Sequence, residues 1–205
     1  QITRAEDDCG LTRKRGATTA RQANLPQNIA KFVQYKYENY PYGVADSNTE
    51  DLIDWDECAI FLESADRSYG KVFVGKDLNE EGPYGHSQKY TLTMAVAGNP
   101  EGDRWLDFQV KAGTSIHDTV TFLQHIIADI PNPNQRTFLC DNLSAHKHHI
   151  VRHLIHSNGH RLIYRPPYHP REGPIEYVFN RLQHELTIRL HEINDAVDLQ
   201  HAVYD

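Results

Sequence analysis

Three acidic residues of the sequence stand where a strand ends or a helix begins. Asp56 lies in the apolar stretch Leu52–Glu57. Asp141 and Glu176 both belong to the stretch Phe138–Glu176. Carboxylates delivered from separate elements to one point form an all-oxygen site, which suits Mg²⁺ or Mn²⁺ and supports phosphodiester chemistry with two metal ions. The sequence therefore predicts an enzyme that acts on nucleic acid.

Two of these acids also have a purely structural interpretation. Asp141 follows a predicted parallel strand, where open α/β sheets bind their ligands, but an Asp-Asn pair also forms turns. Glu176 is the third residue of a helix that Pro174 opens, where a carboxylate favours the helix dipole. At about 100° per residue, Glu176 lies on the shoulder of the apolar stripe and can reach a cleft beside the sheet. The residues alone leave both interpretations open.

Asp56 has a rival in Asp54. The two residues are two positions apart on one strand, so both side chains point to the same face of the sheet. Two carboxylates on a half-buried face require a cation or another positive group to compensate them. Asp54 would either support the site or, if the strand is bulged, lie outside the sheet.

Hydrophobic periodicity predicts the elements that must position these acids. A meander of antiparallel strands precedes an α-β-α-β-α run, which indicates an α/β fold with a mixed sheet flanked by helices. Short crossovers make the later strands parallel. The predicted strands are Leu52–Leu62, Lys71–Val74, Tyr90–Ala97, Trp105–Val110, Thr137–Cys140 and Leu162–Tyr164. The alternation in the third of these strands predicts Tyr90, Leu92, Met94 and Val96 on one face and the threonines and alanines on the other. The predicted helices are Pro26–Asn39, one capped by Ser115, one that begins at Ala145 with Ser144 as its cap and stops at Gly159, and one that begins at Pro174.

Length and composition predict one sizeable domain, and the polar residues at the start of the chain predict an N-terminal arm. The chain has 205 residues, of which 39% are hydrophobic, enough for one sizeable core. We expect residues 1–45 to form the arm or linker and residues 46–205 the domain. The sequence shows neither a membrane-spanning run nor a signal segment, which predicts an intracellular protein, nuclear in a eukaryote or cytoplasmic in a bacterium. Because it begins with Gln1, we expect a fragment of a longer chain.

The net charge of −7 is unevenly distributed. Residues 1–45 carry +3, residues 46–130 carry −10, residues 131–191 carry +4 and the last 14 residues carry −4. The basic region 131–191 also holds 9 of the 13 histidines. A polyanion would meet the basic arm and this basic segment, while the acidic middle would hold cations or face solvent. An uneven surface charge without a role explains the composition equally well.

The cysteines and histidines give no zinc site. Three cysteines, Cys9, Cys58 and Cys140, are odd in number and far apart, which argues against a disulfide framework and a zinc finger. His149 and His153 are four residues apart, as in some zinc sites. No cysteine or carboxylate at a supporting spacing completes such a site. A solvated basic face near phosphate is the favoured interpretation of these histidines.

Three motifs in one order carry a resemblance to a known family. They are Asp56-Glu57 in an apolar strand, Asp141-Asn142 followed by His146, and Arg165-Pro166-Pro167-Tyr168-His169-Pro170 before Gly173-Pro174-Ile175-Glu176. Over residues 51–190 this pattern resembles the catalytic core of mariner-superfamily DDE transposases. In that family Asp-Asn precedes a histidine, and the glutamate follows a Pro-Pro-Tyr-Ser-Pro-like run in an Asn-Pro-Ile-Glu-like motif. The 34 residues between Asp141 and Glu176 match one large branch, and the family's first acid, written Asp-Glu, selects Asp56 over Asp54.

The resemblance implies a ribonuclease-H-like fold that cleaves and transfers DNA strands with two Mg²⁺ or Mn²⁺ ions. Asp56 would share both ions, Asp141 would hold one and Glu176 the other. The implied partners are DNA, as transposon ends and target, and a second copy of the chain in a homodimer. Phosphate contacts, which give affinity without sequence choice, are expected from Lys147, Arg152, Arg165 and Arg171.

The sequence departs from the family pattern at several positions. Gly173 replaces the usual Asn, His169 replaces the usual Ser, and Asp54 occupies a place that is normally apolar. The family's N-terminal helix-turn-helix region is absent, and residues 1–45 resemble the linker that follows it. These departures leave two alternatives open: a domesticated or inactive transposase copy that binds nucleic acid without cutting it, and a ribonuclease-H-like nuclease or resolvase.

Overall fold

A mixed five-stranded sheet forms the centre of the molecule. The computed structural model describes residues 20–38, 43–62, 89–98, 104–130, 135–189 and 192–205. The strand order is β3-β2-β1-β4-β5, with β1–β2 and β2–β3 antiparallel and β1–β4 and β4–β5 parallel. The predicted strand at Lys71–Val74 lies outside the described residues. The strands are β1 Leu52–Phe61, β2 Lys89–Ala97, β3 Arg104–Lys111, β4 Thr137–Cys140 and β5 Arg161–Tyr164.

Helices cover both faces of this sheet. The N-cap predicted at Ser115 is present and forms a capping box with Asp118. Asp118 N donates to Ser115 Oγ over 3.2 Å, and Ser115 N donates to Asp118 Oδ2 over 3.0 Å. No helix in the described part of the chain has the length and apolar character needed to cross a membrane. The helices are α1 Pro26–Val33, which continues as a π-helix over Gln34–Glu38, α2 Ile116–Asp129, α3 His149–Ser157, α4 Pro174–Arg189 and α5 Ala196–Tyr204.

The alternation of β2 divides the core into two layers. Tyr90, Leu92, Met94 and Val96 face one side, where the buried side chains of α4 and α5 cover them. Ala95 faces the other side, where the buried side chains of α2 and α3 lie. The face predicted for β2 is therefore confirmed, and the acids of β1 lie in a sheet that both helix layers shield from water. The α4–α5 layer includes Ile175, Phe179, Leu186 and Leu199, and the α2–α3 layer includes Phe122, Leu123, Ile126, Val151 and Ile155.

The predicted start of α3 at Ala145, with Ser144 as its cap, is wrong. The helix begins at His149, and His148 is its N-cap, with Nδ1 accepting from Ile150 N over 3.4 Å. The preceding residues form a turn because Asp141 Oδ1 accepts from Leu143 N over 2.8 Å. This turn directs His146 towards the same carboxylate and delays the helix. The predicted stop is confirmed, since Gly159 follows the helix with φ of 79°.

Part of the expected N-terminal arm packs against residues from the C-terminal half of the chain. Tyr35 is 2% exposed and lies in a small apolar cluster with Leu139 and Ile163. Its hydroxyl donates to Glu172 O over 3.3 Å, and Lys36 pairs with the Glu172 side chain. Residues near position 35 therefore contribute to the core. The boundary between residues 45 and 46 stays a prediction.

Both cysteines in the described part of the chain are free thiols. Cys140 is buried at the end of β4, and Cys58 is half-buried in β1. Burial, together with the charges of Asp56 and Glu176, raises the pKa of Cys58 to about 12. Neither thiol is poised for nucleophilic chemistry at neutral pH.

Candidate active site

Parallel pairing of β1 and β4 brings Asp56 and Asp141 to one place. Asp54 is paired with Leu139 in the sheet. Asp56 lies two residues after Asp54, and Asp141 lies two residues after Leu139, just beyond the end of β4. A carboxylate oxygen of each and a ring nitrogen of His146 lie within 4.8 Å of one another. Within the described residues, no other group of three or more metal-ligating side chains lies this close together. Asp56, in the middle of β1, and Asp141, directly after the end of the neighbouring β4, therefore converge.

Glu176 faces the same space from α4. It is half-buried, does not belong to the 4.8 Å group, and lines a cavity of about 270 Å³ together with Asp141. Burial raises the pKa of Glu176, and the charges of Asp56 and Asp141 raise it further. The three predicted acids thus share one electrostatic environment, since the charges of Asp56 and Asp141 both act on Glu176. The cavity is also lined by Asn142, Arg165, Pro167, Tyr168 and His169.

The pKa shifts of the acids separate Asp141 from its neighbours. Burial raises the pKa of Asp56, and the charge of Asp141 adds to this effect, while Arg165 opposes it. Burial likewise opposes ionisation of Asp141, but the hydrogen bonds from His146 and Leu143 N outweigh it and lower the pKa of this carboxyl. Among the acids of this site, Asp141 is therefore the one that the protein holds most firmly in its charged form.

Sequence reasoning gave no role to His146, which completes the acidic cluster. The ring is fully buried, and its Nδ1 lies 2.7 Å from Asp141 Oδ1. Its centroid lies 4.2 Å from that of Trp55. Its Nε2 is buried and has no hydrogen-bond partner in the described part of the molecule. The signal for this contact in the sequence is the motif in which His146 follows Asp141-Asn142. The motif does not show that the ring points towards the Asp141 carboxylate.

Arg165, one of the predicted phosphate contacts, is bound to acids of β1 rather than exposed on the surface, and its contact with phosphate stays a prediction. Its side chain is buried, with 5% exposed, and its guanidinium binds two acids of β1. Nη1 donates to both oxygens of Asp54 over 3.1 Å, and Nη2 donates to Asp56 Oδ2. The compensating group that two acids on one strand face require is therefore Arg165, and Asp54 lies inside the sheet as its partner.

The other three predicted phosphate contacts lie on the surface. Lys147, Arg152 and Arg171 are exposed. Lys147 follows the buried His146, and its Nζ lies 5.6 Å from the centre of the Tyr164 ring. Arg171 lies in the 3₁₀ turn Pro170–Glu172, next to a residue that lines the cavity. Their contact with phosphate stays a prediction.

The donor set fits a divalent metal ion. The raised pKa values of Asp56 and Glu176 arise from burial and mutual repulsion, both of which a bound cation would relieve. Carboxylate oxygens suit Mg²⁺ and Mn²⁺, and an imidazole nitrogen nearby suits Mn²⁺ better than Mg²⁺. The unpartnered buried Nε2 of His146 is consistent with a further ligand in this space.

Comparison with known proteins agrees with this geometry. The family described as DDE superfamily endonuclease matches residues 51–199. No curated protein matches the chain in sequence. The Mos1 transposase in a paired-end complex with the left transposon end is similar in fold, with a TM-score of 0.62 at 17% identity over 99% of this chain and 66% of that chain. This chain thus spans slightly less than two thirds of the transposase.

Two further structures support the same fold. The mariner Mos1 paired-end complex with Mg aligns at a TM-score of 0.62 and 18% identity over 90% of this chain and 56% of that chain. An intasome of simian T-cell lymphotropic virus, solved with a PP2A regulatory subunit, aligns at a TM-score of 0.53 and 16% identity over 76% of this chain and 47% of that chain. The ribonuclease-H-like fold predicted from the sequence is confirmed.

Proposed function

Because the chain belongs to the DDE superfamily endonuclease family, which matches residues 51–199, we propose that it cleaves DNA strands with divalent metal ions bound by Asp56, Asp141 and Glu176. The observation that carries the proposal is the approach of the Asp56 and Asp141 carboxylates to within 4.8 Å. Glu176 lines a cavity together with Asp141. Like charges this close and this buried are costly without a cation.

Each side chain has a defined part in this proposal. Asp56 would contribute to binding both ions, Asp141 would hold one and Glu176 the other. When bound there, Mg²⁺ or Mn²⁺ lowers the pKa of a water or of a DNA 3′-hydroxyl and stabilises charge on the leaving oxygen. His146 orients Asp141 through its 2.7 Å contact and keeps that carboxylate ionised. The cavity of about 270 Å³ between Asp141 and Glu176 receives the scissile phosphate.

We propose strand transfer, in addition to cleavage, as the reaction of the whole protein. The Mos1 structure of similar fold contains a transposon end, and the intasome is a viral integration complex by name. By analogy, transposon-end DNA and target DNA are the substrates of this chain. The same proposal includes a homodimer, in which two active sites act on two ends.

Nicking of supercoiled plasmid tests the cleavage proposal. The protein is incubated with Mn²⁺, with Mg²⁺ or with EDTA, and the fraction of open-circle DNA is measured. Single variants Asp56→Asn, Asp141→Asn and Glu176→Gln remove one carboxylate each. Because indirect partners of a metal ligand already contribute about 10- to 100-fold, loss of a ligand is expected to reduce nicking by more than about 100-fold. Asp129→Asn, which changes an exposed acid at the end of α2, is the matched control.

The alternative functions predict other outcomes of this assay. A domesticated copy would bind DNA and fail to nick it with either ion. A ribonuclease-H-like nuclease would instead cut the RNA strand of an RNA–DNA hybrid and leave the plasmid intact. Metal-dependent nicking that the three carboxylate variants retain would place the activity elsewhere and contradict the proposal.

A further inference from the structure

One buried cation joins the acidic face of β1 to the rest of the site. Arg165 follows β5 directly, and its backbone N donates to Cys140 O over 2.8 Å. The carbonyl of Arg165 accepts from the Asn142 side chain. The backbone of Arg165 is therefore bound to the residue before Asp141 and to the residue after it. The guanidinium then reaches across the sheet to Asp54 and Asp56. A side chain anchored at its backbone and at both terminal nitrogens has little freedom to move.

Asp54 extends this connection to the helix of Glu176. It is 2% exposed, and its Oδ2 accepts from both Arg165 Nη1 and Ile175 N, each over 3.1 Å. Ile175 is the second residue of α4, where the backbone N–H has no partner within the helix. A carboxylate at this point satisfies the amide and favours the helix dipole. Asp54 therefore fixes the N-terminus of α4, one residue before Glu176.

Gly173 supplies the space that Arg165 occupies. A Cβ added at position 173 would lie closer to Arg165 Nη1 than van der Waals contact allows, and 3.0 Å from Arg165 Cζ. The guanidinium thus fills the volume of a side chain at this position. Gly173 and Asp54, two places at which the sequence departs from the family pattern, both lie against Arg165.

We infer that Asp54, Arg165 and Gly173 form one positioning unit, which fixes the separation between Asp56 and Glu176 before any metal binds. Arg165 binds Asp56 with one nitrogen and Asp54 with the other, and Asp54 binds the first turn of α4. The planar fork of an arginine matches two carboxylates in a fixed geometry, which a lysine cannot do. In this scheme the three residues act on metal binding through Asp56 and Glu176. The inference rests on the proposed function only in assuming that Asp56 and Glu176 bind metal ions.

Gly173→Ala tests this unit without removing any charge. The added methyl group should displace the guanidinium, shift Asp56 relative to Glu176 and weaken Mn²⁺ binding by about tenfold or more, as for other indirect partners of metal ligands. Gly113→Ala is the matched control, because a Cβ at position 113 would have no atom within 4 Å. Mn²⁺ affinity is measured by isothermal titration calorimetry, and the positions of the carboxylates by crystal structures of the metal-free variants. Thermal denaturation checks that each variant is folded.

A double-mutant cycle with Arg165→Lys shows whether Gly173 acts through the guanidinium. Lysine keeps a positive charge near both acids but lacks the Nη1 atom that the methyl group would meet. Arg165→Lys alone should weaken Mn²⁺ binding, and Gly173→Ala should have little further effect in that background. If Gly173→Ala does not fold, Arg165→Lys carries the test with the same expected loss of affinity and the same shift of Asp56.

Two results would overturn the inference. One is a Gly173→Ala protein that keeps both the wild-type carboxylate positions and the wild-type Mn²⁺ affinity; the other is an additive effect of the two substitutions. Failure of the proposed function looks different, because the wild type would then bind no Mn²⁺ or would fail to nick DNA. In that event the crystal structures alone decide, and an unmoved Asp56 in Gly173→Ala contradicts the positioning unit.

Discussion

His146 lies with its Nδ1 2.7 Å from Asp141 Oδ1, while its ring is buried against Trp55. The contact orients the one carboxylate of the site whose pKa is lowered, so that it is held in its ionised form. The ring is itself fixed by the aromatic contact, so the orientation is set before substrate or metal arrives. A histidine in this position acts on the site through the acid that it holds.

Replacing His146 by Phe should separate orientation from packing. Phenylalanine keeps an aromatic ring against Trp55 but removes the nitrogen that bonds Asp141. We expect a folded protein whose Mn²⁺ affinity is about 10- to 100-fold lower, the range found for indirect partners of metal ligands. Isothermal titration calorimetry measures the affinity. His153→Phe, an exposed position on α3, should behave as wild type, and an equal loss in both variants would exclude a specific role for His146.

Mn²⁺ should stabilise the folded protein through the acidic cluster. At 100 times the dissociation constant, an ion bound only by the native state adds about 2.7 kcal/mol to the free energy of unfolding. For a domain of this size that corresponds to a rise of about 5–11 °C in the melting temperature. Differential scanning fluorimetry with and without Mn²⁺ measures the rise. Asp141→Asn should abolish it and Asp129→Asn should keep it, whereas a full rise in Asp141→Asn would show that the ions bind elsewhere.

Binding of DNA by this chain should be weak, indifferent to sequence and strongly reduced by salt. Each exposed cation that meets a phosphate contributes about 0.9 to the slope of log affinity against log salt concentration. Each of the single substitutions Lys147→Ala, Arg152→Ala and Arg171→Ala should reduce the slope by the contribution of about one phosphate contact. Fluorescence anisotropy on unrelated duplexes between low and physiological salt measures the slope.

A control variant and a comparison with and without Mn²⁺ accompany this DNA measurement. Lys89→Ala, an exposed cation in the acidic part of the chain, should leave the slope unchanged. Mn²⁺ should strengthen binding more than its ionic strength predicts, because it neutralises the acids that repel the phosphates. Tight binding of one duplex at physiological salt would contradict this view and show that the chain reads bases.

Mild acid should destabilise the fold in part through His160, far from the acidic cluster. His160 Nδ1 accepts from Arg136 N over 3.2 Å, and burial, then the charge of Arg136, lowers the pKa of this ring. The unfolded chain therefore binds a proton more readily, so stability contributed by the neutral ring is lost as pH falls below about 6.5. His160→Asn keeps an acceptor without a titrating ring. It should lose less stability than wild type between pH 7.5 and 5.5.

Urea denaturation at the two pH values measures this difference in the free energy of unfolding. Nuclear magnetic resonance titration of the His160 ring gives an independent check. Arg136→Gln should raise the pKa of His160 towards its ordinary value, because one of the two causes of the shift is removed. Equal pH dependence of wild type and His160→Asn would contradict the prediction.

The elements that carry the acids were predictable because their signals are local. Alternation in Tyr90–Ala97 predicted the faces of β2, and Pro174 predicted the start of α4. Apolar residues just before Asp141 predicted the short buried strand β4. Helix α5 was missed, although Asp195 caps it by accepting from Val197 N and Asp198 N over 2.8 Å and 2.9 Å. Its short apolar stripe is weak in a segment that carries a charge of −4.

The contacts that shape the site were not predictable, because they join residues far apart in the sequence. Arg165 and Asp54 are 111 residues apart, and no local pattern pairs them. An arginine beside Pro166 looks like a surface residue until its burial is known. The turn that delays α3 depends on the His146–Asp141 contact, which competes with the helix that Ser144 would have capped. Helix propensity loses at this point to a tertiary interaction.

Tyr35 has a consequence for the order in which the molecule is built. Its hydroxyl bonds the carbonyl of Glu172, 137 residues later in the chain. Since ribosomes add about 5–20 residues per second, that carbonyl is made roughly 7–27 s after Tyr35. Its apolar neighbours Leu139 and Ile163 also come late, so the ring has no native cluster to join for most of this interval. The helical segment Gln34–Glu38, which carries Tyr35, is therefore made early but is among the last to dock, and it is accessible to chaperones until then.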